Sequence, residues 1–349
     1  MPHPEITIAG AGLIGLSLAL ELERRGVRVT VLERDTALKH ASIAAGGMLA
    51  AHDPENPAPL QPLSDLSVAL YPEFLERIRQ LSGIVVPLHT SRTFQSHHGY
   101  EHPLSTEELH RLLPPLVPGD HRFMLLEEHS LDPRELAAAL LAAVRNTSVR
   151  LLEHTELHEI ATHANGLRLT TSAGPIETSL LVHARGAWSG APVAPRKGQM
   201  MLLALPPSLP LHEVIRTPES YIIPRTVGPN AGRVVIGATV EDAGFNTQTH
   251  PADLARLRAR ASALLPALAD ESASPLLLHW AGLRPATPDA LPLLGPVPGA
   301  PHQYLATGHY RNGILLAPAT AHVLAQTLVN EPAAVDLAPF SAGRFGQTR

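Results

Sequence analysis

EITIAGAGLIGLSLALELERRGVRVTVLE, residues Glu5 to Glu33, opens the chain with strand, turn, helix and second strand in immediate succession. Glu5 to Ala9 reads as a short buried strand. Leu13 to Arg25 carries helical periodicity and stops at Gly26, a residue suited to the position after a helix end. Between them lies Gly10-Ala11-Gly12-Leu13-Ile14-Gly15. Gly10 permits the tight turn, Gly12 lets backbone approach a pyrophosphate, and Gly15 allows the helix to pack closely on the sheet. The helix start then offers unpaired N–H groups and the positive end of its dipole to phosphate. A second strand, Arg28 to Leu32, ends at Glu33, 18 residues beyond Gly15. An acidic group at that distance accepts hydrogen bonds from ribose hydroxyls and disfavours a 2′-phosphate. The unit predicts a bound dinucleotide that is not NADP.

The fingerprint alone leaves FAD and NAD open. After Glu33 the chain does not continue the βα alternation of a typical NAD domain. It runs instead through Ala41 to Ala50, ASIAAGGMLA. Small side chains there let backbone press against a flat ring, as a flavin requires; a tightly packed helix entry reads equally well.

Composition bounds the rest. With 349 residues, 44% of them hydrophobic and 17% charged, the chain is long enough for two domains or one large α/β unit. A net charge of −5 without a basic block argues against nucleic acid and against a polybasic membrane patch. There is no cysteine, hence no disulfide, thiolate zinc site or cysteinyl cofactor link, and a reducing cytoplasm is compatible. The apolar run Ile6 to Leu20 holds three glycines, follows Glu5 and is too short to span a bilayer, so neither a signal peptide nor a membrane segment is expected. The many histidines, including His89, His97, His98 and His102, show no metal-ligand spacing and read as a solvated loop, and no metal is expected. Without GxSxG, a serine hydrolase has no motif support.

The middle of the chain predicts helices over Leu63–Leu81, Thr106–Leu113 and Asp132–Arg145, the last capped by Asp132 with Pro133 at its first position. Strands are expected at Val149–Leu152, Glu159–His163, Leu167–Ser172 and Leu180–Ala184. A second unit would use Gly198–Leu205, Tyr221–Arg225 and Arg233–Ala238 as antiparallel strands, with Asp253–Leu264 as a helix.

Two C-terminal blocks carry the most specific signal: Trp280-Ala-Gly-Leu-Arg284-Pro-Ala-Thr-Pro-Asp289 with Pro292-Leu-Leu-Gly295, and Ala306-Thr-Gly308-His-Tyr-Arg311-Asn-Gly-Ile-Leu315-Leu-Ala-Pro-Ala-Thr320. With these, GAGLIG, the ASIAAGGML run, Tyr221 to Arg225 and Ile236-Gly237-Ala238-Thr239, the chain resembles the D-amino-acid-oxidase-like flavoprotein family over nearly its whole length. The likeness is strongest to the branch that oxidises glycine for thiazole formation in thiamine biosynthesis. The resemblance implies an α/β fold: a Rossmann-like FAD-binding domain made of 1–60, 130–190 and 280–349, and a second, antiparallel-sheet substrate domain made of 61–129 and 191–279. It implies non-covalent FAD, with Gly10, Gly12, Leu13, Ile14, Gly15, Glu33, Arg34, Ala41, Ser42, Gly46, Gly47 and Met48 along it, the Leu157 backbone at the adenine, and Gly308, His309, Tyr310, Arg311, Asn312, Gly313, Ile314 and Leu315 beside the isoalloxazine.

For substrate, the resemblance places Arg284 and Arg311 at the carboxylate, Tyr221 over the pocket, and Val240 where a bulkier apolar residue can stand. Read without it, Arg284 could pair with Asp289 or cap a strand end, and Tyr221 could be a packing aromatic. Glu219, Val240 and the long loop Thr226 to Gly232 depart from the family pattern and leave the pocket mouth open to variation. The implied reaction is hydride transfer from a small amino acid (glycine, sarcosine or D-alanine) to flavin N5, with no side-chain acid or base required. Molecular oxygen is the implied acceptor, giving hydrogen peroxide, and the imine yields glyoxylate and ammonia or is captured for the thiazole. A homotetramer is implied by the same likeness, and the chain is expected to be soluble and cytoplasmic.

Overall fold

Strand Glu5–Ala9 has no exposed residue and pairs in parallel with Arg28–Leu32 on one side and Leu180–His183 on the other, residue for residue along its length. In the computed structural model, which describes residues 5–346, these strands sit at the centre of a six-stranded sheet. Its order is Leu293–Pro296, Gln303–Thr307, Leu180–His183, Glu5–Ala9, Arg28–Leu32, Arg150–Leu152, with only Leu293–Pro296 antiparallel to its neighbour. Residues 1–4 and 347–349 of the expected domain ranges lie outside the described residues.

A parallel sheet must be covered on both faces. Helices Leu13–Arg24, Gln61–Ser82, Pro133–Arg145 and Gly313–Leu328 share one apolar cluster with Ile6, Ile8, Val29 and Val31. The opposite face is closed by an antiparallel meander, Leu157–His163, Gly166–Thr171 and Gly174–Thr178, whose Leu167 and Leu169 meet Ala9, Leu32 and Leu181. The hairpin expected at 164–166 is therefore present. Asp132 caps its helix as expected, its Oδ1 accepting from the Arg134 N–H at 2.9 Å, which stabilises that helix end by about 1 kcal/mol.

Helix Gln61–Ser82 was expected in the substrate unit and packs instead within the nucleotide-side core. Ser67 donates to the Leu315 carbonyl and the Tyr71 hydroxyl to that of Ile314, both at 2.6 Å, tying it to helix Gly313–Leu328. Helical periodicity signals that a face is buried without saying against what.

The second sheet is antiparallel apart from one pair and has the order Leu276–Ala286, Ala194–Ala204, Arg233–Gly237, Tyr221–Arg225, Val214–Arg216, Thr93–Ser96, Phe123–Leu126. Helices Thr106–Leu112 and Pro251–Leu264 cover one face through Leu109, Leu254, Leu257 and Ala261. Strand Leu276–Ala286 crosses the expected 279/280 boundary without a break, paired along Ala194–Ala204. It thereby carries Arg284 from the substrate sheet to the edge of the nucleotide cleft. His89 is not in a solvated loop: it is buried on strand Leu88–Thr90, and its Nδ1 accepts from the Thr226 N–H at 3.2 Å.

Candidate active site

One elongated cleft lies at the carboxyl ends of the parallel strands, where an open α/β sheet places its ligand. Gly10 adopts φ +114°, and a Cβ there would stand 2.5 Å from the Ala184 carbonyl oxygen; at Gly15 it would stand 2.0 Å from that of Gly10. Gly15 thus serves helix-to-strand packing and does not face the cleft. Gly12, Leu13 and Ile14 do. The first helical bond here runs from the Leu16 N–H to the Gly12 carbonyl. Ser42 Oγ accepts from the Leu13 N–H at 2.9 Å, placing a hydroxyl against the helix start. The Glu33 carboxylate is buried and oriented by the N–H groups of Ala11 (2.9 Å) and Asp35 (3.0 Å), so it meets the cleft in one fixed pose. Arg34 lies 4.6 Å above the Trp188 ring, and Leu157 lines the far end with Thr155 and Glu156.

Ala41, Ser42, Gly46, Gly47 and Met48 line the middle of the cleft, facing His309, Tyr310, Arg311, Asn312, Gly313 and Ile314. Helix Gly313–Leu328 makes its first backbone bond from Leu316 to Asn312, leaving the N–H groups of Gly313, Ile314 and Leu315 without helical partners at this wall. Two residues expected here, Gly308 and Leu315, are set back from the lining of the cleft. Gly308 sits behind the wall with φ +77° against Thr287 and Leu293, and the Leu315 side chain is buried in the helical core. A residue in the first turn of a helix can present its backbone to a ligand while its side chain points into the core. His309 is buried, with Nε2 3.0 Å from Thr320 Oγ1, and burial holds its imidazole down at about 3.

Arg284 and Tyr221 meet at the substrate end. Arg284 Nη1 donates to the carbonyls of Thr239 (3.1 Å) and Lys197 (3.4 Å), and no carboxylate pairs with it among the described residues. Asp289, its suggested alternative partner, is bonded to Arg344 at 2.7 Å. The Tyr221 hydroxyl donates to Met200 Sδ at 2.8 Å. Burial pushes that hydroxyl up, against the opposing pull of Arg284 and Arg311 beside it. Arg311 faces the same cleft with its guanidinium held by Asp53 (Nη2 to Oδ2, 3.1 Å) and Glu55. Burial works against its charge, but the two carboxylates leave it a still weaker acid than ordinary arginine.

Val240 is not brought into the cleft. It follows strand Arg233–Gly237 with its side chain outward and 64% exposed, while Thr239 beside it turns inward and accepts from the Gln199 N–H. Asp53, Met200 and the turn Arg185-Gly186-Ala187-Trp188 also line the cleft, beyond the residues to which the sequence points. The turn carries a legible signal, since it follows the carboxyl end of an apolar strand. Asp53 and Met200 carry none.

The family model described as "FAD dependent oxidoreductase" matches residues 5–327. The chain belongs to that family. A glycine oxidase of Pseudomonas aeruginosa is 34% identical over 97% of this chain and 99% of its own length. A bifunctional ThiO/ThiG protein of Synechocystis is 34% identical over 98% of the chain, which spans 54% of that longer protein. The crystal structure of glycine oxidase from Geobacillus kaustophilus superposes with a TM-score of 0.87, at 30% identity and 98% coverage of both chains. FAD is thus the dinucleotide. The residues fit it: cleft space beyond Gly12, where a Cβ would meet only Ser42 Oγ at 3.4 Å, free N–H groups at two helix starts, and a fixed buried carboxylate at Glu33.

Proposed function

We propose that this FAD-dependent oxidoreductase oxidises glycine, with sarcosine and small D-amino acids as lesser substrates, according to glycine + H2O + O2 → glyoxylate + NH3 + H2O2. The observation that carries the reading is Arg284, a guanidinium in the cleft with no carboxylate of its own. Its Nη1 is steadied by two carbonyls, leaving Nε and Nη2 to a substrate carboxylate as two parallel charge-assisted bonds. When bound, FAD supplies the two-electron acceptor for the Cα–H bond and the route to oxygen. The protein supplies position: with the carboxylate on Arg284 and Tyr221 over it, a two-carbon amino acid has one rotation left about its central bond, and orientation carries much of the rate. The amine must be uncharged for its lone pair to assist, and a cleft shielded from water by Met48, Met200 and Tyr221 disfavours the ammonium form.

The glycine oxidase relatives support the substrate, and the ThiO/ThiG relatives together with the family resemblance support a place in thiazole formation. A homotetramer in the cytoplasm completes the reading: the resemblance supports the tetramer, and a chain without cysteine is compatible with a reducing compartment.

The test is peroxide release from purified protein with glycine, sarcosine and D-alanine, repeated with Arg284→Ala. Losing a bidentate, charge-assisted carboxylate site is worth roughly 3–5 kcal/mol, so kcat/KM should fall by at least two orders of magnitude while FAD stays bound. Near-normal activity in that variant rejects the clamp. Flavin reduction under nitrogen without peroxide in air assigns another electron acceptor.

A further inference from the structure

Two arginines flank Tyr221, and the fold treats them differently. Arg284 has no acidic partner, whereas Arg311 is bonded through both terminal nitrogens, by Asp53 and Glu55. Asp53 is itself fixed: it is 8% exposed, its Oδ1 accepts from the Glu55 N–H at 3.0 Å, and its Oδ2 lies 3.8 Å from the fully buried Arg216. Arg216 is satisfied in turn by Glu128 at 3.0 Å. Once a first carboxylate neutralises Arg284, Arg311 and Arg216 against Asp53, Glu55 and Glu128 leave an excess of one negative charge at and behind this end of the cleft. A second carboxylate arriving there meets no free donor fork and a field of its own sign.

Resting on the reading of the site as an amino-acid oxidase, we propose that Asp53 and Glu55 are specificity residues: they occupy Arg311 so that the cleft accepts an amine bearing one carboxylate and rejects one bearing two. Arg284 takes the single carboxylate, and the acid pair keeps the neighbouring cation from becoming a second anchor. This explains how a pocket lined by two arginines can serve a substrate with a single negative group. It also separates the roles of Arg284 and Arg311, both of which the family resemblance places at the carboxylate.

Removing one unit charge within ion-pair range, in a medium between water and protein interior, changes the relative affinity for an added carboxylate on the order of tenfold. The experiment uses the FAD-bound protein and Glu55→Gln, whose side chain is 40% exposed and bonds only Arg311, so the fold is spared. Asp53→Asn provides the buried counterpart. Two ratios are read. One is kcat/KM for iminodiacetate over that for sarcosine, N-substituted glycines that differ by a carboxylate. The other is the affinity of malonate over that of acetate, followed by perturbation of the bound flavin's absorbance. Both ratios should rise at least tenfold in Glu55→Gln and again in the double variant. Ratios within threefold of the parent in Glu55→Gln overturn the proposal. The malonate-to-acetate ratio needs no turnover, so it decides the matter even if the parent protein fails to oxidise glycine and the amino-acid oxidase reading falls.

Discussion

Gly198 offers a way to disturb the carboxylate anchor without touching it. The residue lies on strand Ala194–Ala204 directly across from Gly282, and the Arg284 guanidinium lies over its backbone. A Cβ built at Gly198 would stand 2.3 Å from both terminal nitrogens of Arg284 and 2.5 Å from Cζ. Ordinary contact begins near 3.4 Å, so Gly198→Ala displaces the guanidinium by about 1 Å. The displaced atoms are the tip of a flexible side chain, and the strand keeps its pairing, so the fold should lose little. A charge-assisted hydrogen bond stretched by about 1 Å leaves the 2.7–3.2 Å range and forfeits roughly 1.5–3 kcal/mol. That converts to a fall in kcat/KM of about 10- to 150-fold, shared between a raised KM and a lowered kcat as the substrate's Cα loses its alignment. The assay is steady-state peroxide release with glycine, alongside the flavin-to-protein absorbance ratio and a thermal melt. Parent-like kcat/KM, within threefold at unchanged Tm and flavin content, would refute the assignment of Arg284 as the anchor. A collapse in Tm or loss of flavin would show instead that Gly198 is needed for packing.

Gly12→Ala should give a folded protein depleted of flavin. Its Cβ meets only Ser42 Oγ at 3.4 Å but projects into the cleft at the turn where the glycine fingerprint expects the pyrophosphate, so FAD affinity measured by reconstitution of the apoprotein should weaken at least tenfold with Tm of the apoprotein unchanged. Acid should destabilise the protein through His309 and His89, whose imidazoles are held by burial at about 3 and about 4. The unfolded chain binds protons to both below pH 6.5 while the native state does not, so stability falls as pH drops from 6.5 towards those values. Each group costs about 1.4 kcal/mol per pH unit in that window, or about 2 kcal/mol at pH 5. Denaturant titrations at pH 7.5 and pH 5 should show the loss, and His309→Asn should recover about half of it. A stability that is flat over this range would count against neutral burial of both rings.

The mononucleotide half was legible because its signals are local. A strand, a glycine turn, a helix and an acid at fixed spacing are dictated by backbone sterics and hydrogen bonding over some thirty consecutive residues, and Gly10, Gly15, Glu33 and the Asp132 cap stand as those rules require. Arg284 was reachable through a motif, and its lack of a carboxylate partner among the described residues only through space: whether an arginine is an anchor or half of an ion pair depends on which carboxylate the fold brings beside it. Here Asp289 went to Arg344, while Asp53 and Glu55, more than 250 positions from Arg311, went to Arg311. The same holds for helix Gln61–Ser82, whose apolar stripe announced burial but not its neighbour, and for Val240, turned to solvent where its sequence position suggested a pocket wall. Local propensity reaches only a few residues along the chain. Charge pairing and the choice of which face meets which are set by contacts between distant segments, so they were decided when the two sheets closed on one cleft.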